Sequence, residues 1–478
     1  MSSRRPFPSL LISSRGVSAQ GGFAEAQAAF LEPDPDSVDR LRELLESKQA
    51  GIVAHFYMDP ELQGVIAQTG HRHTHISDSL VMADRAVDMV RAGARHIVVL
   101  GVDFMAENVR AVLDAAGFSS TPVYRVEAGP IGCSLAEAAE APEYLAWLDA
   151  ARSHSPSLHV VYINTSLYTK AQAHFRVPTI TCTSSNVVKT VLAAFAQVPE
   201  TTVWFGPDTY MGRNLRVLFE TMAELSPSEI SALHSSHDRE SLRRVVEGFR
   251  FFERGNCIVH HLFGDQVARQ VKEQYGSAYI AAHLEVPGAM FRLGLDAQRA
   301  GRGVVGSTSD ILNFVGRTVD AAVARAERER LSFVLGTETG MVTSLVRRVR
   351  AALVPDVDGR VEVEIVFPVA EEALTVTSDR ELPIVPGPMA GEGCSVEGGC
   401  ATCPYMKKNN LTALFDVLDR IGRDDLASYA PKMQQGTLAS RSLIDWATEP
   451  INYMRAFSRD GVLPEALVGD VRSRHRRS

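Results

Sequence analysis

Six cysteines stand in this chain, at positions 133, 182, 257, 394, 400 and 403, and their spacing is uneven. Three stand alone, and three share the glycine-rich stretch Gly391 to Met406, which reads G-E-G-C-S-V-E-G-G-C-A-T-C-P-Y-M. Six thiols in 478 residues do not make a disulfide framework. Clustered thiols suit metal or redox chemistry in a reducing compartment, and lone ones pack as small apolar residues. Several chemistries fit the spacing. Cys394, Cys400 and Cys403 with one further ligand would hold a structural zinc, which usually takes four protein ligands. Cys400 and Cys403 have the C-x-x-C spacing of a redox pair. Alternatively Cys133, Cys257 and Cys403, one from each of three regions, would hold three irons of a [4Fe-4S] cluster and leave the fourth iron open as a Lewis acid.

Internal repetition favours the last of these. Three segments carry the same signatures in the same order. A strand ends at a ring-bearing residue: His55, Tyr162, His283. A hydroxyl cluster follows, around Ser79, Ser184 and Ser307, at offsets of 24, 22 and 24 residues. An apolar strand then closes on Gly-x-acid, as Gly101-Val102-Asp103, Gly206-Pro207-Asp208 and Gly336-Thr337-Glu338, at offsets of 22, 22 and 29. Each segment runs on to a cysteine: Cys133, Cys257, Cys403.

The elements that must position these residues alternate. A helix is expected from Asp36 to Ser47, then short β-branched runs such as Ile52-Val53-Ala54, Ile97 to Leu100, Val160 to Ile163, Thr179 to Thr181, Val203 to Phe205, Ile258-Val259 and Val361 to Phe367. Helical patterns lie between them, among them Ser134 to Ala151 and the charged stretch Glu224 to Arg250. The pattern is α/β with parallel sheets. Ligands of such sheets bind beyond the carboxyl ends of the strands, where all the repeated polar residues sit. The expected fold is three similar α/β domains with short parallel sheets, in pseudo-threefold symmetry around a central iron-sulfur site. Hydroxyls and helix N-termini converging there suit a small polyanion such as a dicarboxylate or phosphate ester. His71, His73 and His75 read as a polar loop before the Ser79 helix.

The bulk composition sets limits. At 45% hydrophobic residues the chain buries a large core and needs several domains. The expected boundaries are 1–35 as a tail, disordered in solution; 36–135, 136–265 and 266–405 as the repeats; and 406–478 as helices and a basic tail. A net charge of -8 gives no reason to expect nucleic acid. No apolar run reaches membrane-spanning length. The first 24 residues hold Arg4, Arg5, Arg15, six serines and no acid. That is the composition of an organelle transit peptide as well as of a plain tail; a cytoplasmic location is the expectation, an organelle the alternative.

The segments Ala54-His55-Phe56-Tyr57, Asp78-Ser79-Leu80, Gly101 to Glu107, Tyr162 to Ser166, Thr183 to Asn186, Cys257-Ile258-Val259-His260, His283-Leu284-Glu285, Gly306-Ser307-Thr308 and Gly399 to Met406 together resemble the quinolinate synthase family. The wording of His55 to Pro60 and His75 to Leu80 resembles the plant-type branch, here expected without the sulfur-transfer domain that plants add. The resemblance implies an enzyme, a transferase that condenses iminoaspartate with dihydroxyacetone phosphate to quinolinate, releasing phosphate and water, in de novo NAD biosynthesis. It implies one [4Fe-4S] cluster per chain with Cys133, Cys257 and Cys403 as ligands. It implies Tyr57, His283 and Glu285 as proton carriers and His55, Ser79, Tyr162, Asn164, Ser184, His260, Ser307 and Thr308 as substrate-binding residues. The implied partners are an L-aspartate oxidase or dehydrogenase upstream and the iron-sulfur assembly machinery. The alternative within the same chemistry is an iron-sulfur hydro-lyase acting on another small dicarboxylate.

Overall fold

Runs such as Ile52-Val53-Ala54 and Val160-Val161-Tyr162 are apolar on both faces, so they are stable as strands only where helices cover both sides. The computed structural model, which describes residues 6–368, 403–431 and 436–474, has that architecture: short, mainly parallel sheets alternating with helices, an α/β fold. Cys394 and Cys400, and the zinc and redox-pair readings that need them, lie outside the described residues.

The described chain opens with a hairpin, β1 (Ser9–Ser13) and β2 (Gly16–Gln20). Next come β3 (Ala50–His55), β4 (Thr74–Ser77), β5 (His96–Leu100) and β6 (Val123–Arg125), in spatial order β4-β3-β5-β6. A second sheet holds β7 (Ser157–Tyr162), β8 (Thr179–Cys182), β9 (Thr202–Gly206) and β10 (Phe249–Phe251), in order β10-β9-β7-β8. The third holds β11 (Tyr279–His283), β12 (Gly303–Gly306), β13 (Glu329–Gly336) and β14 (Val361–Val366), in order β12-β11-β13-β14, with β1 and β2 added antiparallel beyond β14. In each sheet the second strand flanks the first, followed by the third and fourth. Register is shared too: the last residues of strands one and two pair as His55 with Ser77, Tyr162 with Cys182, and His283 with Gly306. The order switches direction between strands one and three, the place where such sheets bind ligands.

Four expectations are corrected. Residues 9–20, read as tail, are structural: Leu10 and Ile12 are fully buried, and β1 covers the edge that β14 would otherwise leave open. The helix expected from Ser134 to Ala151 is two, Ser134–Glu140 and Pro142–Arg152, because a proline ring cannot continue the first. Ile258-Val259 is no strand. The fourth strand of its sheet is β10, after which the chain turns, with the His261 N–H donating to Cys257 O at 3.1 Å. The histidine loop is partly β4, which contains His75.

Candidate active site

The strand ends deliver their residues to one cavity. From the first segment it is lined by His55, Tyr57, Ser79 and Cys133; from the second by Tyr162, Asn164, Ser184, Cys257 and His260; from the third by His283, Glu285, Thr308, Glu338 and Cys403. Of the residues expected at a site, only Ser307 is absent from the lining. It is the N-cap of the helix Thr308–Arg325, its hydroxyl 2.7 Å from Asp310 Oδ2, and so places Thr308 at the first helical position. Asp78 does the same for Ser79, accepting the N–H groups of Leu80 and Val81 at 3.1 Å each.

Glu285 is the electrostatic centre. It is 2% exposed, its Oε2 lies 3.1 Å from His260 Nδ1, and its Oε1 accepts the Tyr162 hydroxyl. Burial alone would push this carboxyl up, but the imidazoles of His260 and His283 and the Tyr162 bond outweigh it and hold it below the ordinary range. Asn214, on the helix Thr209–Ala223, donates to Leu284 O at 2.9 Å and Val286 O at 2.7 Å and so fixes the loop that carries Glu285.

The two strand-end histidines share one device. His55 Nδ1 accepts the Tyr57 N–H at 3.2 Å, and His283 Nδ1 accepts the Glu285 N–H at 3.3 Å. Each ring therefore carries its proton on Nε2. Burial lowers both to about 4, only partly offset by the charge on Glu285, so both are neutral near pH 7. Tyr57 and Tyr162 are raised well above 10, by burial first and by Glu285 second; both remain phenols. The Tyr57 hydroxyl lies 2.9 Å from Thr308 Oγ1, and His260 stacks on His283 with ring centres 4.9 Å apart.

Each cavity cysteine opens a helical turn. Backbone N–H groups of Ala136 and Leu135 reach the Cys133 thiol, that of His260 reaches Cys257, and those of Met406 and Tyr405 reach Cys403. Burial nonetheless raises all three thiols, Cys133 to about 12. Cys182 is fully buried at the end of β8 and is not part of the lining. Among the described residues, the group of ligating atoms that lie within 4.8 Å of one another is Cys257, His260 and Glu285; His71, His73 and His75 form no such group.

Sequence reading gave no site role to Glu338 or Tyr405, which also line the cavity. The signal for Glu338 was present, since it is the third copy of Gly-x-acid. Glu338 is 2% exposed, and burial, then the charge on Glu285, raise it well above 4.5.

A family model described as quinolinate synthetase A protein matches residues 39–440. The chain is 50% identical over 485 residues to "Quinolinate synthase, chloroplastic" of Arabidopsis thaliana, covering 98% of this chain and 67% of that protein. It is 51% identical to a protein of the same name from Nicotiana tabacum, covering 97% and 66%, and 48% identical to one from Oryza sativa subsp. japonica, covering 98% and 69%. The chain thus spans about two thirds of the length of these relatives. With a match across most of its length and half its residues shared with plant relatives, the chain belongs to the quinolinate synthetase A family.

Proposed function

We propose that the chain condenses iminoaspartate with dihydroxyacetone phosphate to quinolinate, with loss of phosphate and water, as a step in de novo NAD biosynthesis. The observation that carries this reading is the convergence of strand-end residues from three sheets, with Cys133, Cys257 and Cys403, on one cavity.

The donor set fits a [4Fe-4S] cluster held at three corners. Three half-buried thiols whose pKa desolvation raises call for cationic charge, and the N–H groups that reach each sulfur are the contacts that tune such clusters. Bound there, the cluster would supply a Lewis acid at its open iron. The protein's own groups supply the rest. The N-termini of the helices Ser79–Arg91 and Thr308–Arg325 bring N–H groups and hydroxyls to carboxylate or phosphate oxygens. Ser184 and Asn164 add a hydroxyl and an amide from the second sheet, and His55 offers its Nε2–H. Glu285, held ionised, accepts a proton at Oε1 or Oε2 during tautomerisation and ring closure. Tyr57 and His283 donate or relay protons from Oη and Nε2 as water leaves. Tyr162 and His260 hold Glu285 in place.

One observation favours a second reading, a single metal ion on Cys257, His260 and Glu285. Anaerobic purification separates the two. Brown protein with about four irons and four sulfides per chain supports the cluster; colourless protein with one zinc overturns it. Incubating the anaerobic protein with iminoaspartate and dihydroxyacetone phosphate and assaying quinolinate tests the reaction; a protein that instead dehydrates another dicarboxylate is the hydro-lyase. Iminoaspartate would come from an L-aspartate oxidase or dehydrogenase and the cluster from the iron-sulfur assembly machinery. The relatives' chloroplastic names support the organelle alternative over the cytoplasm. Among the described residues no helix is long and apolar enough to cross a membrane.

A further inference from the structure

Each sheet's third strand ends on Gly-x-acid, and these turns have no step in the proposed chemistry. In all three segments the turn holds the chain that enters the cysteine. In the first, the Asp103 N–H donates to Ile131 O at 2.9 Å, and Asp103 Oδ1 accepts the Ile131 N–H at 3.1 Å. Ile131 stands two residues before Cys133. In the second, the Thr209 N–H donates to Gly255 O at 2.7 Å, and Thr209 Oγ1 accepts the Gly255 N–H at 3.0 Å. Gly255 stands two residues before Cys257, and a Cβ there would run into the Pro207 carbonyl, so this approach requires glycine. The pattern is the same closed pair of bonds at the same distance from the thiol. The acid of this second turn, Asp208, instead accepts the Met211 N–H at 2.7 Å, and its neighbour takes over the holding. In the third, Glu338 Oε1 accepts the N–H of Cys403 itself at 2.7 Å.

We propose that Asp103, Thr209 and Glu338 are positioning residues for the metal centre, each clamping the backbone that presents one of the three cysteines. The proposal rests on the reading that Cys133, Cys257 and Cys403 share that centre. Three ligands on three separate loops must meet within a fraction of an ångström, and loops alone do not hold such tolerance. Tying each loop to the end of a buried strand transfers the rigidity of the sheet to the thiol. The third clamp is a single bond to the cysteine, which makes Glu338 the most direct of the three.

The test uses full-length protein reconstituted anaerobically with iron and sulfide. Asp103→Leu, Thr209→Val and Glu338→Leu remove the acceptor; Asp103→Asn, Thr209→Ser and Glu338→Gln keep it. The readouts are the rate at which a ferrous chelator bleaches the visible absorption and the melting temperature before iron is added. The expected result is that variants lacking the acceptor lose iron roughly tenfold faster than the unsubstituted protein. The acceptor-keeping partners should match the unsubstituted protein, and each acceptor-lacking variant should melt only a few degrees lower, the cost of one lost buried acceptor. Should the leucine variants fail to fold, the isosteric Thr209→Val against Thr209→Ser decides. Equal bleaching rates in that pair, or a fall in the melting temperature of Thr209→Val well beyond that of one lost buried hydrogen bond, overturn the clamp. Cys133→Ala, Cys257→Ala and Cys403→Ala serve as controls. If they keep the cluster, the shared-ligand reading fails and takes the clamp with it; if they lose it while the clamp variants do not, only the clamp fails.

Discussion

Tyr162, the last residue of β7 in the second sheet, donates its hydroxyl to Glu285, which lies two residues beyond β11 in the third. Both side chains are buried, so the bond ties two sheets together inside the cavity and keeps a carboxylate ionised away from water. Tyr162→Phe removes only the hydroxyl. Quinolinate formation by this variant should fall about 100-fold, and its urea stability by about 1–3 kcal/mol. An unchanged rate would remove Tyr162 from the chemistry.

The thiols divide by position. Cys133→Ala, Cys257→Ala and Cys403→Ala should each abolish bound iron and sulfide, whereas Cys182→Ala should retain both. Cys182 ends β8 inside the core and is not part of the cavity lining. Iron analysis and visible absorption check this, and loss of the cluster in Cys182→Ala would mean the ligand set is misassigned.

A pH dependence of stability follows from His159, buried in the second sheet between the Tyr144 hydroxyl at 2.9 Å and Thr179 Oγ1 at 3.3 Å. Burial, then the neighbouring His174, lower it to about 3. In the unfolded chain the ring titrates near its ordinary value of about 6.5. Below that pH the unfolded chain binds a proton that the folded chain refuses, so stability falls as pH falls from 6.5 towards 3 and is unaffected by this residue above 6.5. Between pH 6.5 and pH 5 the contribution is about 2 kcal/mol. His159→Gln should lose that much less stability over this interval in urea titrations; parallel curves would refute the assignment.

The N-terminal hairpin should be indispensable to the third sheet. Leu10 is fully buried against β14, in register with Ile365. Leu10→Ala should cost about 2–5 kcal/mol. Removing residues 1–20 should expose the β14 edge and drive aggregation, read by light scattering. A truncated protein that stays monomeric at unchanged stability would show the hairpin to be dispensable.

How much the sequence disclosed depended on how each element announces itself. Strands with β-branched apolar runs, such as β5 and β7, were legible because they are buried on both faces. β4 was not, since Thr-His-Ile-Ser is mostly polar and becomes a strand by pairing along β3. β1 and β2 were missed for a related reason. The partner that seats β1, β14, lies about 350 residues away, β2 pairs only with β1, and serine and arginine around them mimic a tail. The ring-hydroxyl-glycine order located the cavity because the three sheets share one strand order. What it could not disclose was side-chain pairing across sheets, such as Tyr162 with Glu285 or Asn214 with the Glu285 loop. Ser307 was placed in the lining for want of its capping bond to Asp310, which only geometry reveals. Glu338 was visible as a motif but not as a neighbour of Cys403.

Fully buried Asn409 joins the turn after β5 to the segment that follows Cys403. Its Oδ1 accepts the Gly101 N–H at 3.0 Å, and its Nδ2 reaches back to Met406 O, in the turn that follows Cys403. The end of the first sheet therefore finds its partner only after 308 further residues have been made. During synthesis, which runs from the N-terminus, Cys133 and Cys257 emerge and fold long before the third thiol exists. On the proposed ligand set, the nascent protein would display two of the three thiols without a completed pocket, and a metal centre there would form only after the last turn closes on Gly101.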